Sequence, residues 1–280
     1  MQIATYSGTK ALLEKYGHNP RKSLGQNFLI DPHVLGKIIR AANIGPHDAV
    51  LEIGSGIGGL TQALLEYAGH VLTIELDKRL AETLKETLPK AEVIQGDILK
   101  YNIPNHINKV VANLPYYIST PVIMRLLEDF QFKTITVMVQ REVAHRLVSL
   151  KKDDKSHGAL SLGVQYHATA KIAAYVPSNS FIPRPRVGSA VVHMEILKKP
   201  PVVADKALLF ANIRAGFGQR RKTLVNGLYI SDLYSLTKEE LASVITSCGF
   251  SENIRGEDLS LEDWSRLTLK LSGGIKNDSF

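Results

Sequence analysis

The chain has 280 residues, 44% of them hydrophobic, enough for one substantial core and a smaller appended unit. Lys and Arg number 34 against 27 Asp and Glu, a formal net charge of +7 that favours an anionic partner such as nucleic acid. A single cysteine, Cys248, excludes an intrachain disulfide, residues 1–19 hold no apolar core of signal-peptide length, and no run reaches the ~18 apolar residues of a bilayer span, so a soluble cytoplasmic protein is expected.

After a polar, basic lead-in over residues 1–22, short β-branched runs alternate with helical patterns, the reading of a parallel sheet covered by helices. Residues 49–53 form the first predicted strand, ending in Gly54-Ser55-Gly56-Ile57-Gly58-Gly59, and residues 70–75 the second. The following helix carries Leu80, Leu84 and Leu88 on one stripe and is closed by Pro89. Residues 91–95 give a third strand before Gly96-Asp97, residues 109–112 a fourth before Asn113-Leu114-Pro115-Tyr116, and residues 134–139 a fifth. In open α/β sheets ligands collect at the carboxyl ends of strands, so Gly54, Glu75, Asp97 and Asn113 are expected around one pocket.

Residues 171–176 and 189–196 read as two further strands, antiparallel because only the loop 177–188 joins them. Lys198-Lys199-Pro200-Pro201 reads as a linker, and residues 205–215, 238–248 and 261–271 as helices. The expected organisation is thus a lead-in over 1–22, an α/β domain over 23–203 and a small helical domain over 204–280.

Gly54-x-Gly56-x-x-Gly59 between a strand and a helix suits a nucleotide-type ligand, because glycines admit positive φ and close backbone approach. Glu75, at the next strand end, is placed to accept ribose hydroxyls, in a dinucleotide or an S-adenosylmethionine site alike. Glu52 tilts the choice towards the sulfonium methyl donor, since a carboxylate repels a pyrophosphate. Asp97 is a candidate acceptor for an adenine amine, or simply the cap of its own turn.

Asn113-Leu114-Pro115-Tyr116 matches what methylation of an aromatic amine requires. The lone pair of that amine is delocalised into the ring. Acceptance of its two N–H bonds by the Asn113 side-chain oxygen and the Leu114 carbonyl pushes the nitrogen towards tetrahedral geometry, with no strong base. Tyr116 offers a stacking face, and Phe181 is a candidate for the other face or for core packing. Such a pocket admits only an unpaired or flipped base, so single-stranded RNA is the expected substrate.

Basic residues recur at Arg21-Lys22, Lys151-Lys152-Lys155, Arg184, Arg186, Arg214 and Arg220-Arg221-Lys222, as a phosphate-binding surface or as separate solvated patches. No metal site is expected, because the nine histidines show no i, i+4 pair and Cys248 has no ligand partner nearby. The Gly54 loop alone leaves a dinucleotide oxidoreductase open.

Taken together, these motifs resemble the ribosomal RNA adenine dimethylases of the KsgA type. The match runs through Ser23-Leu24-Gly25-Gln26-Asn27-Phe28-Leu29, Glu52 to Gly58, Asn113 to Tyr116, Phe181 to Val187, and Gly218-Gln219-Arg220-Arg221-Lys222-Thr223-Leu224. The resemblance implies a Rossmann-like class I S-adenosylmethionine methyltransferase sheet with a C-terminal helical domain that contacts RNA or the ribosome. It implies dimethylation of two adjacent adenosines in a hairpin loop near the 3′ end of small-subunit RNA, within the small subunit or its precursor; a monomer is expected. It also implies donor contacts from Asn27, Leu29, Gly54, Glu75, Asp97 and Asn113, to which the glycine loop adds Gly56 as an expected contact. Two rivals sit on the same fold: a large-subunit methylase conferring antibiotic resistance, against which the Gly218 to Leu224 block argues, and a binding protein acting as an assembly checkpoint.

Overall fold

The computed structural model describes residues 1–21, 24–129, 132–150, 154–219 and 221–274. Helix α1 (Tyr6–Lys15) comes first, then β1 (Phe28–Leu29), α2 (Pro32–Ala42), β2 (Ala49–Ile53), α3 (Gly59–Tyr67), β3 (His70–Glu75) and α4 (Lys78–Thr87). Next come β4 (Glu92–Gln95), β5 (Lys109–Asn113), α5 (Ser119–Asp129), β6 (Thr134–Gln140) and α6 (Arg141–Val148). Helix α7 (Ala159–His167) precedes β7 (Ala168–Val176), β8 (Phe181–Ile182) and β9 (Ser189–Ile196). Four helices follow: α8 (Lys206–Gly218), α9 (Leu224–Ile230), α10 (Lys238–Ser247) and α11 (Leu261–Leu271).

The seven-stranded sheet has the order β4-β3-β2-β5-β6-β9-β7, parallel from β4 to β6, with β9 and β7 antiparallel. Its central strands read as mostly apolar runs because both faces of the sheet are buried. Val50, Leu51, Leu72, Val110, Val111, Ile135 and Val137 are all fully buried. At the edge, β7 alternates exposed and half-buried residues along most of its length, as a strand with one wet face does.

The chain runs outward from β2 through β3 to β4, then returns to β5 on the other side of β2 and continues to β6. This reversal opens a crevice above the carboxyl ends of β2 and β5, where Gly54 and Asn113 stand. Helix termini are set locally: Asp31 caps α2 ahead of Pro32, and Asp77 caps α4. At the opposite end of β5, buried Lys109 pairs with Asp48 at 2.8 Å and donates to the Asn43 carbonyl, fixing the turn that feeds β2.

Two compact units result: Met1–Val148 with Ala168–Ile196, and Ser149–His167 with Leu197–Phe280. The expected boundaries at 22 and 203 differ from this division. Residues 149–167 join the helical unit, because Leu162 and Tyr166 of α7 pack in the core of Leu209, Ile213, Trp264 and Leu267. The first unit ends with β9 at Ile196, and Val202 and Ala204 already pack against the helical core. Nor is the lead-in a separate region, since Ile3, Leu12 and Leu13 share a core with Phe28, Ile57 and Leu80.

Candidate active site

A cleft of about 1000 Å³, open solvent at its mouth included, lies over the carboxyl ends of β2, β3, β4 and β5. Asn27, Leu29, Gly54, Gly56, Glu75, Asp97, Asn113, Leu114 and Tyr116 all line it. Gly54 has φ +70° and Gly56 φ +59°, conformations that a side chain would strain. Added Cβ atoms would also crowd Pro115 at 3.4 Å from Gly54 and the Phe28 ring at 3.0 Å from Gly56. The glycines thus hold the loop back from the space between it and the Asn113 turn.

Glu75 is 6% exposed, and each carboxylate oxygen accepts one backbone N–H: Oε2 from Gly56 and Oε1 from Asp77, both at 2.9 Å. Burial, with the Asp77 charge adding, raises its pKa against these two donors. Asp97 both lines the cleft and caps its own turn, Oδ1 accepting from the Leu99 N–H at 2.9 Å. The two readings of Asp97 therefore coexist.

Glu52 departs from the sequence reading. It is 1% exposed and accepts from the Thr61 hydroxyl at 2.6 Å. Burial first, then the nearby Glu75 carboxylate, pushes its pKa up to about 8. A group held mostly protonated near neutrality does not present the full negative charge used above to exclude a pyrophosphate. The discrimination falls to the Asn113 turn instead.

That turn is fixed from both sides. Asn113 Nδ2 donates to the Asn27 backbone carbonyl at 3.1 Å, while Asn27 Nδ2 donates to the Gly25 carbonyl at 2.9 Å. The Leu114 N–H is taken by the Met138 carbonyl of β6 at 3.1 Å. The Leu114 N–H and one Asn113 Nδ2 hydrogen are thus spent within the protein, and the acceptors of the turn are Asn113 Oδ1 and the Leu114 carbonyl. Half-buried Tyr116 is tethered through its hydroxyl to Ser189 at 2.7 Å, and burial raises its pKa, so it stays a neutral aromatic ring.

Phe181 is not brought to this site. It is 3% exposed, is paired with Leu29, belongs to the core cluster of Val34, Leu35 and Ile38, and is not among the residues that line the cleft. Several lining residues were given no role by the sequence reading, among them Ser55, Gln26 and Tyr117. Ser55 lies inside the glycine motif, and its buried Oγ has no hydrogen-bond partner among the described residues. Exposed Tyr117 follows Tyr116 and packs over Gly25, where a Cβ would meet its ring at 3.2 Å.

Of the basic residues, Arg184 and Arg186 are exposed on the first unit, and Lys155, Arg214, Arg221 and Lys222 on the second. Lys22, Lys151, Lys152 and Arg220, with Ser23 of the N-terminal motif, lie outside the described residues. Among the described residues no cluster of His, Cys, Asp and Glu is arranged to hold a metal, and no helix is long and apolar enough to cross a membrane.

A glycine-walled crevice at the switch point of this mostly parallel sheet is the architecture of a class I S-adenosylmethionine-dependent methyltransferase. The chain belongs to the ribosomal RNA adenine dimethylase family, whose sequence profile matches residues 17–271. It is 48% identical to the ribosomal RNA small subunit methyltransferase A of Lachnoclostridium phytofermentans, over 92% of this chain and 94% of that one. Its counterpart from Alkaliphilus oremlandii is 42% identical over 97% and 98%. Among solved structures, a dimethyladenosine transferase from Plasmodium falciparum superposes with a TM-score of 0.74 at 28% identity, over 88% of this chain and 97% of that one. The 23S rRNA methyltransferase ErmE shares the fold, with a TM-score of 0.66 at 24% identity, over 88% of this chain and all of that one.

S-adenosylmethionine is the methyl donor of this family, and the cleft suits it. The glycine turns leave room that side chains would fill. The lining combines the carboxylates of Glu75 and Asp97 and the unpartnered Ser55 hydroxyl with apolar Ile57, Ile74 and Ile98.

Proposed function

We propose that this protein dimethylates the N6 amine of two adjacent adenosines in a hairpin loop near the 3′ end of small-subunit ribosomal RNA. The substrate is the small subunit or its precursor in the cytoplasm, and the enzyme acts as a monomer. The names of the relatives from Lachnoclostridium and Alkaliphilus support the small-subunit substrate. The observation that carries the chemistry is the bond from Asn113 Nδ2 to the Asn27 carbonyl, which turns Asn113 Oδ1 to the ligand.

Bound S-adenosylmethionine supplies an electrophilic methyl on a sulfonium. Glu75 holds the ribose hydroxyls with the lone pairs its backbone bonds leave, and Asp97 accepts from the adenine amine of the donor. Asn27, Leu29, Gly54 and Gly56 complete that contact surface. Asn113 Oδ1 and the Leu114 carbonyl accept the two N–H bonds of the target amine, concentrating its lone pair on nitrogen. Tyr116 stacks on the flipped base, and its Ser189 tether keeps the ring in place. The methylated nitrogen, cationic on transfer, releases one proton to solvent and keeps one N–H, so one acceptor suffices to orient the second transfer. Exposed Arg184 and Arg186, with Arg214, Arg221 and Lys222 of the helical unit, bind RNA phosphates.

The test is transfer of labelled methyl from S-adenosylmethionine to undermethylated small subunits and, in parallel, to large subunits. Label confined to the small subunit is expected; label in the large subunit would reject the substrate assignment.

A further inference from the structure

Asp77 is 6% exposed, and its side chain, the cap of α4, contacts neither donor nor amine in the roles proposed above. Its backbone N–H supports Glu75, and its Oδ1 accepts from the Arg79 N–H at 3.0 Å to cap α4. Its Oδ2 turns the other way, with Arg21 Nη1 at 3.2 Å and Gln26 Nε2 at 3.4 Å. Gln26 Oε1 accepts in turn from the Arg21 N–H at 2.7 Å. Arg21 and Gln26 are thereby held to each other and to one buried carboxylate oxygen.

Capping does not require that charge. Asn caps a helix about as well as Asp, so the bond from Arg79 does not by itself account for a carboxyl group here. Arg21 matches it. Exposed ion pairs contribute little, but here the carboxylate is buried and both contacts of Oδ2 are charge-assisted. What they anchor is the segment 24–29, which lines the donor cleft and whose Asn27 carbonyl orients Asn113.

We propose that Asp77 is a positioning residue for methyl transfer, clamping the segment 24–29 against the donor cleft through Arg21 and Gln26. One side chain then fixes both walls: Glu75, through the adjoining backbone, and Asn27, through the clamped segment. The clamp rests on the cofactor and amine contacts proposed above.

Two variants separate this role from capping. Asp77→Asn retains an acceptor for the Arg79 N–H and removes the charge facing Arg21; Arg21→Ala breaks the pair from the exposed side. Methyl transfer to undermethylated small subunits is measured at varied S-adenosylmethionine and varied RNA, with thermal unfolding alongside. Each variant is expected to raise the donor KM about three- to tenfold while the RNA KM stays within about twofold. The double variant should be no worse than the poorer single one, and Arg21→Lys should recover part of the loss. An unchanged donor KM in both variants, additive effects, or a loss that follows only a fall in Tm overturns the clamp. Glu75→Ala is the reference. If its donor KM does not rise, the cofactor contacts themselves are wrong; if it rises while Asp77→Asn behaves as wild type, the clamp alone fails.

Discussion

Asn113 and Asn27, 86 residues apart in the chain, are joined by one hydrogen bond of 3.1 Å from the Asn113 amide nitrogen to the Asn27 backbone carbonyl. An amide has one oxygen and one nitrogen, so a nitrogen committed to Asn27 leaves the oxygen for the target amine in the proposed reaction. The segment that closes the donor cleft therefore also sets the polarity of the amine site.

Removing that oxygen should abolish transfer while sparing the donor. Asn113→Ala is expected to lower kcat by about 10²-fold or more, with donor affinity within a few-fold of wild type by calorimetry. Asn113→Asp should be no better, because its second oxygen would face the Asn27 carbonyl. Wild-type turnover by either variant would contradict the amine mechanism.

Tyr116 separates stacking from tethering. Tyr116→Phe keeps the ring and loses only the 2.7 Å bond to Ser189, so a loss of a few-fold in kcat is expected. Tyr116→Ala removes a base-stacking face worth about 1–3 kcal/mol, a loss of roughly ten- to hundredfold in kcat/KM for RNA. Equal losses in the two variants would show that the ring does not stack.

Glu52 makes stability depend on pH in a known direction. Its folded pKa of about 8 lies above the ordinary carboxylate value of 4.5. Between these values the folded protein holds a proton that the unfolded chain does not. The stabilisation is thus fully present below the lower value and is lost as pH rises through the upper one. Glu52→Gln, a permanent stand-in for the protonated acid, should gain Tm relative to wild type from pH 5 to 8 and level off above. A difference that does not vary with pH would place Glu52 in its charged form throughout.

Phe181 should behave as core. Phe181→Ala is expected to cost about 3–5 kcal/mol of stability, read as a lowered Tm, while Phe181→Leu retains most of the transfer activity. Loss of kcat in Phe181→Leu with an unchanged Tm would restore its stacking role.

The strands that build the cleft were legible because a parallel sheet buried on both faces leaves continuous Val, Ile and Leu runs, and β2, β3 and β9 fall on the residues expected. The residues at their ends were legible for the same reason, since each strand stops at Gly54, Glu75, Gly96-Asp97 or Asn113. Helix α7 was not, because Ala159–His167 is buried on most sides and carries no polar stripe. Its place in the helical unit depends on Leu162 and Tyr166 meeting side chains far along the chain. The two-residue strands β1 and β8 are too short for any periodicity, and their pairing is what buries Phe181. The protonation of Glu52 is likewise a property of tertiary burial, invisible in a motif.

The most direct test of the whole account is nucleoside analysis of small-subunit RNA after incubation of undermethylated subunits with S-adenosylmethionine and either wild-type protein or Asn113→Ala. The account predicts N6,N6-dimethyladenosine at two adjacent positions with wild type and none with the variant. A methyl group on another base, monomethyladenosine as the only end product, or dimethyladenosine from Asn113→Ala would contradict it.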